Sequence, residues 1–184
     1  MIAPTYGLQY KTMHLLDTFT HCPKCGSNRF AKNDFKSKRC CSCGFTYYLN
    51  PSAANVAVIT DGKGNILVAT RSKEPAKGML DLPGGFCDCG ESVEEGVVRE
   101  VFEETGLKVI GTRYLFSIPN IYRYSGMDIP TMDMFFLCSV ENTAHLHPAD
   151  DVAELQWMNL AEIDSSRFGL NSIREGIEKL KTGS

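Results

Sequence analysis

The stretch Gly85-Phe-Cys-Asp-Cys-Gly-Glu91-Ser-Val-Glu-Glu-Gly-Val-Val-Arg99-Glu100-Val101-Phe-Glu103-Glu104-Thr-Gly106-Leu107 decides how the whole chain is read. Ser92 with Glu95 three residues on is a helix-start signal and Gly106 a stop, so the spacing predicts a helix from about Ser92 to Thr105. Glu100, Glu103 and Glu104 fall at i, i+3 and i+4, on one face. Each like-charge neighbour there costs about 0.2–0.5 kcal/mol, and each carboxylate near a helix C-terminus opposes the dipole by about 0.3–1 kcal/mol. A solvated acidic face is one reading of the cluster. The other is a hard divalent cation that neutralises three convergent oxygen ligands, with Mg²⁺ or Mn²⁺ the default. On that reading, removing one repelling charge, as in Glu103→Gln, is expected to raise metal-free stability.

The residues around the cluster choose between the two. They resemble the signature of the Nudix hydrolases, G-x5-E-x7-R-E-U-x-E-E-x-G-U with U aliphatic, at Gly85, Glu91, Arg99, Glu100, Val101, Glu103, Glu104, Gly106 and Leu107. The preceding Leu82-Pro83-Gly84-Gly85 is also a feature of that family. The resemblance implies an α/β fold, a Nudix-type α/β/α sandwich with a mixed sheet. It also implies a diphosphatase in which water attacks one phosphorus of a nucleoside-diphosphate derivative. Carried onto this chain, Glu103 and Glu104 are metal ligands together with the Gly85 carbonyl. Glu100 is either a ligand or the group that accepts the water's proton. Arg99 orients the glutamates, and Glu91 orients or ligates. Some members take the base from a later loop, where Asp150, Asp151 and Glu154 are candidates; each also reads as a surface acid. By their charge alone Arg71 and Lys77 are candidates for substrate phosphate, and read equally as solubilising surface residues.

With 184 residues and 43% apolar content, the chain can hold one ordinary domain and a small module. The net charge of −3 conceals an asymmetry. Residues 1–50 carry seven lysines and arginines against two aspartates, a net of +5 that leaves −8 for the remainder. We therefore expect an N-terminal segment and zinc ribbon over 1–50 and a Nudix domain over 51–184. With no run of 18 apolar residues and no basic-then-apolar leader pattern, the expectation is a cytoplasmic protein with no membrane partner.

Cys22-Pro-Lys-Cys25-Gly and Cys40-Cys-Ser-Cys43-Gly are two C-x-x-C-G turns. Four thiolates in such turns suit tetrahedral Zn²⁺, and the segment resembles a zinc ribbon. About forty residues cannot bury a sufficient core alone, so a structural zinc would hold the module together. Cys41, Cys87, Cys89 and Cys138 lack a partner pattern and read as ordinary thiols. Lys36, Lys38 and Arg39 would serve as a clamp if the ribbon bound nucleic acid, but a packing or dimerisation module is the preferred reading. Ribbon-bearing relatives imply a homodimer. Residues 1–20 stay unassigned.

Beyond Pro51, Asn55–Thr60 and Ile66–Thr70 read as strands joined by a hairpin turn at Asp61–Gly64, followed by a loop over 71–78. Gly111–Ile118, Met132–Val140 and Leu155–Met158 are further strands, and 172–181 is a closing helix. A ribbon ahead of a Nudix domain resembles the NADH pyrophosphatase branch, whose mark after the box is S-Q-P-x-P-F-P-x-S. Here Ser117, Pro119 and Ser125 match and Tyr122 keeps a ring, while Ile118, Ile121 and Arg123 depart. Phe116, Tyr122 and Tyr124 are candidates to stack a base or nicotinamide ring. The expected substrate is a small nucleotide, a dinucleotide such as NADH or the smaller ADP-ribose or a sugar nucleotide. An NAD-cap decapping enzyme and a catalytically silent regulator that senses nucleotide or binds RNA are the alternatives.

Overall fold

The computed structural model describes residues 14–143 and 146–183, so the first thirteen residues of the unassigned segment lie outside it. The chain divides into two compact units, one ending at Asn50 and the other beginning at Pro51. The first contains a three-stranded antiparallel sheet, β1 (Phe30–Asp34), β2 (Ser37–Cys40) and β3 (Thr46–Tyr48), in that order. Among its described residues a small buried cluster of Cys22, Phe30 and Cys40 forms, with Phe45 against it, and Leu16 is buried as well. Lys38 is not on the surface as a nucleic-acid clamp would require. It is buried, its ammonium lies over the Phe30 ring, and it donates to the carbonyls of Leu16 and Phe19. Alternation along β2 turns Lys38 inward and Arg39 outward.

The second unit contains β4 (Ser52–Ile59), β5 (Asn65–Arg71), β6 (Leu80–Asp81), α1 (Val93–Thr105), β7 (Val109–Tyr124), β8 (Met127–Val140), β9 (Val152–Asn159) and α2 (Asn171–Thr182). One sheet has the order β4-β8-β7, with β4 parallel to β8 and β7 antiparallel to it. The other, β6-β5-β9, is antiparallel. The hairpin expected between β4 and β5 does not form. The Asp61 carboxylate does build the turn by accepting from the Lys63 and Asn65 amides. Apart from one bridge at Thr60 and Ile66, however, the two strands go to different sheets. Their near-continuous apolar runs explain this, because both faces of each strand are covered.

The alternation of β4 and β5 sorts the core into two layers. Val56, Val58, Ile66 and Val68 pack with Phe135 toward Ile173 and Ile177 of α2. Ala57, Ile59 and Leu67 pack with Phe136 toward Val97 and Val101 of α1. The result is the helix, sheet, helix sandwich expected from the sequence. Val97 and Val101 are fully buried, each contributing about 1.5–3 kcal/mol to docking α1. The helix starts at the Ser92–Glu95 capping box and ends at left-handed Gly106. Strands β7 and β8 run further than predicted, joined by a tight turn at Ser125-Gly126, both with positive φ. That places 117–124, expected to carry a substrate motif, within a paired strand. Among the described residues no helix is long and apolar enough to cross a membrane.

Candidate active site and metal centre

Residues 83–87 run beside β4 and anchor the start of the Gly85–Leu107 stretch. The Ala57 amide donates to the Pro83 carbonyl (2.7 Å), Asn55 to Gly85 (2.8 Å) and Cys87 to the Ala53 carbonyl (3.1 Å). This fixes Gly84 and Gly85 against the last turns of α1. A Cβ at Gly85 would lie 2.6–2.9 Å from the Glu100 carboxyl group, so a side chain there would displace that carboxylate.

Burial separates the three glutamates that the sequence presents alike. Glu104 is 7% exposed, and its carboxylate accepts from the Gly84 amide at 2.9 Å. Burial pushes its carboxyl up to about 8; the Gly84 N–H opposes this, and Glu100, Asp81 and Asp151 add to it. Glu100 is also raised by burial, against the pull of Arg99. Glu103 is half-exposed.

Arg99 ties the other acids together. Its guanidinium donates to both oxygens of Glu91 (3.1 and 2.7 Å), to Glu100 (2.9 Å), to Glu103 (3.0 Å) and to the Phe86 carbonyl (3.1 Å). Glu91 also accepts from the Asp88 amide, and these bonds, Arg99 first, hold it below the usual carboxylate range. Four of these five bonds from one planar fork fix three carboxylates at once, which an i,i+4 ion pair alone would not do.

Among the described residues the glutamates are not drawn into a tight cage, because Glu100 and Glu103 turn to Arg99 and Glu104 to Gly84. The donor set nonetheless fits a divalent cation. It has hard carboxylate oxygens, a buried Glu104 that the pull of Gly84 does not offset, and a backbone cradle that a side chain at Gly85 would fill. The Gly85 carbonyl gives one lone pair to Asn55 and retains the other.

Two small adjoining hollows flank this cluster. They share Arg71, Asp81, Leu82, Gly84 and Tyr122, and Glu104 and Asp151 line the second. Arg71 sits at the end of β5, bonded to Asp81 (2.5 Å), the Pro75 carbonyl (2.7 Å) and the Tyr122 hydroxyl (3.3 Å). Asp81 was invisible in the sequence because a two-residue strand has no periodicity. Tyr122 packs edge-on against Phe86, ring centroids 5.4 Å apart.

The structure does not bring the other two aromatic candidates to this place. Phe116 is six residues from Tyr122 along β7, about 20 Å away, packed on Phe135 with Lys179 over its face. Tyr124 is exposed near the strand's tip. Lys73 pairs with Asp150 and Asp151, and Glu154 is exposed on β9 opposite Thr70.

In the first unit, Cys22, Cys25, Cys40 and Cys43 place their sulfurs within 4.8 Å of one another. Cys22 and Cys43 are 3.8 Å apart and Cys25 and Cys40 3.7 Å. A tetrahedron of Zn–S bonds of about 2.3 Å requires sulfurs about 3.8 Å apart. Gly26 and Gly44, both left-handed, bond back to the carbonyls of Cys22 and Cys40 and close the two turns. The site fits zinc.

Residues 49–179 match the NUDIX domain model. The chain is 33% identical over 141 residues to the ADP-ribose pyrophosphatase of Methanocaldococcus jannaschii, covering 76% of this chain and 80% of that protein. It is 28% identical over 151 residues to the NAD-capped RNA hydrolase NudC of Vibrio parahaemolyticus, covering 82% of this chain and 55% of that one. The chain thus spans about half the length of its NudC relatives. The crystal structure of a NUDIX hydrolase from Nitrosomonas europaea superposes with a TM-score of 0.64 at 18% identity, over 90% of this chain and 94% of that one, a likeness of fold. The match over 49–179 and the box read along α1 lead to one conclusion: the chain belongs to the Nudix hydrolase family.

Proposed function

We propose that this Nudix pyrophosphohydrolase cleaves the diphosphate linkage of a dinucleotide such as NADH, with ADP-ribose as the alternative substrate, using Mg²⁺ or Mn²⁺. The observation that carries the proposal is Glu104, buried beside Glu100 in a cavity wall that continues through Arg71 to the rings of Tyr122 and Phe86. It pairs an anionic cation-binding end with an aromatic end, as an asymmetric diphosphate ester requires.

In this scheme Glu103, Glu104 and Glu100, with the Gly85 carbonyl, would hold the cation, which when bound would neutralise phosphate charge and make water more acidic. Glu100 either ligates or takes the proton from the attacking water. Arg99 holds Glu91 in place through both its oxygens and orients Glu100 and Glu103. Arg71 is held by Asp81, the Pro75 carbonyl and the Tyr122 hydroxyl and offers the substrate the Nη N–H groups these leave over. The zinc in the first unit is structural. The resemblance to ribbon-bearing enzymes supports a homodimer.

The test is hydrolysis of a panel of dinucleotides, sugar nucleotides and triphosphates with Mg²⁺ or Mn²⁺ in ¹⁸O-water, read by mass spectrometry. Two mononucleotides, one labelled, are expected from a dinucleotide. No phosphorylated product from any member would leave a nucleotide-sensing regulator. The similarity to NudC supports a second reading, the same bond cleaved at the end of an RNA; cleavage of dinucleotide-capped RNA faster than of the free dinucleotide would favour it.

A further inference from the structure

The floor of the open hollow beside Phe86 and Tyr122 is polar in a way the hydrolytic scheme does not use. Asp133 on β8 is 4% exposed and lines it, as do Asn120 and Thr131. Its carboxylate accepts from the Asn120 amide nitrogen (3.0 Å), the Thr131 hydroxyl (2.6 Å) and the Ser172 hydroxyl (2.5 Å). Ser172 stands in the first turn of α2, which begins at Leu170 without a capping side chain. One buried charge therefore joins β7, β8 and α2 and faces the positive end of that helix.

The chemistry of the network sets the polarity of the floor. A carboxylate only accepts, so Asn120 must turn its nitrogen toward Asp133 and its oxygen away. Among the described residues that amide oxygen takes no protein hydrogen bond. Thr131 likewise spends its only proton on Asp133 and keeps its lone pairs. Asp81 also lines the space but is occupied by Arg71 and the Leu82 amide, so the acceptors left facing it are those of Asn120 and Thr131, while Leu170, Ile173 and Val56 form apolar walls and Phe86 and Tyr122 stand at the side. From this juxtaposition we infer that the cavity selects a flat ring bearing an amino group. Asn120 is the residue that reads the amino protons, and Asp133 is the positioning residue that holds Asn120's oxygen toward them. The shared chemistry is an N–H₂ on a ring edge, either an exocyclic amine or a carboxamide.

The inference rests on the diphosphatase reading of the neighbouring glutamates, and its test separates the two. Two substrate pairs differ at that group alone: ADP-ribose against its hypoxanthine counterpart, and nicotinamide against nicotinic acid adenine dinucleotide. The wild type is expected to prefer the amino-bearing member of one pair by at least tenfold in kcat/KM, and which pair does so identifies the ring that enters. Asp133→Asn can donate to Asn120 and let its amide turn over, so the preference should collapse or invert. Asn120→Leu should abolish it while leaving Asp133 two donors. Melting curves check that both variants fold. Equal kcat/KM within both pairs, or a preference that survives both substitutions, overturns the inference. If the wild type hydrolyses nothing, the diphosphatase reading falls. The ring preference is then read by equilibrium binding of AMP against IMP and of nicotinamide against nicotinic acid mononucleotide, and equal affinities in both pairs overturn it.

Discussion

Glu104→Gln tests the central idea without an activity assay. In the metal-free protein the Glu104 carboxyl is raised from 4.5 to about 8, chiefly by burial, whereas an unfolded chain returns it to the ordinary value. Between those pH values the native state holds a proton that the unfolded state has lost, so stability falls as pH rises through the window. Below about 4.5 both states are protonated and the penalty vanishes; above about 8 both are ionised and it is complete. At about 1.4 kcal/mol per pH unit the penalty grows from under about 1 kcal/mol at pH 5 to roughly 4 kcal/mol at pH 8. Glutamine is neutral throughout and can still accept the Gly84 N–H. The variant should therefore outlast the wild type by roughly 8–16 °C in melting temperature at pH 8 and by little at pH 5. Circular dichroism melts serve as the assay, in buffer free of Mg²⁺ and Mn²⁺ with one zinc per chain retained; the ribbon titrates alike in both proteins and drops out of the difference. Adding Mn²⁺ at pH 8 should stabilise the wild type, by about 2.7 kcal/mol at a hundred times its Kd, and the variant much less. Equal melting temperatures at pH 8, or a gap of the same size at pH 5, would refute the reasoning.

Gly85→Ala should lower turnover at least tenfold with little loss of fold, because its Cβ meets the Glu100 carboxyl at 2.6 Å; kcat and Mn²⁺ affinity measured together check this. Arg99→Lys keeps the charge but not the fork that reaches Glu91, Glu100 and Glu103 at once, so kcat should fall about 10–100-fold. Normal kinetics would show that the fork is dispensable. Cys25→Ser should lose the zinc and loosen the first unit, which metal analysis and proteolysis around 22–43 would register; retention of one zinc per chain would contradict the four-sulfur site.

Much of this was legible because it is local. The capping box, the stop at Gly106 and the two cysteine turns are each set by residues a few positions apart, and the structure has them where the spacing puts them. What failed or stayed hidden depends on residues far apart in the chain. The Asp61–Gly64 turn is correctly a turn, yet the partners of β4 and β5 are chosen by β8 and β9, some eighty residues later. Phe116, Tyr122 and Tyr124 share a parity on β7, but only Tyr122 meets Phe86 and Arg71, since position along a strand, set by pairing with β8, decides what each ring reaches.

The acidic helix face shows the same division. Spacing alone makes Glu100, Glu103 and Glu104 equivalent, and on that footing Glu103→Gln relieves as much repulsion as any other change. The fold breaks the equivalence: Arg99 neutralises Glu103 at the surface, while the Gly84–Gly85 backbone, held by β4, seals Glu104 in. Removing a charge that already has a partner releases little, because the attraction lost offsets the repulsion relieved. The stabilising effect therefore moves to Glu104, whose burial is the cost that a bound cation would repay. Comparing the two glutamines in metal-free buffer decides the matter: a Glu103→Gln gain that equals or exceeds that of Glu104→Gln would mean that crowding along the helix, rather than burial by the sheet, governs the site.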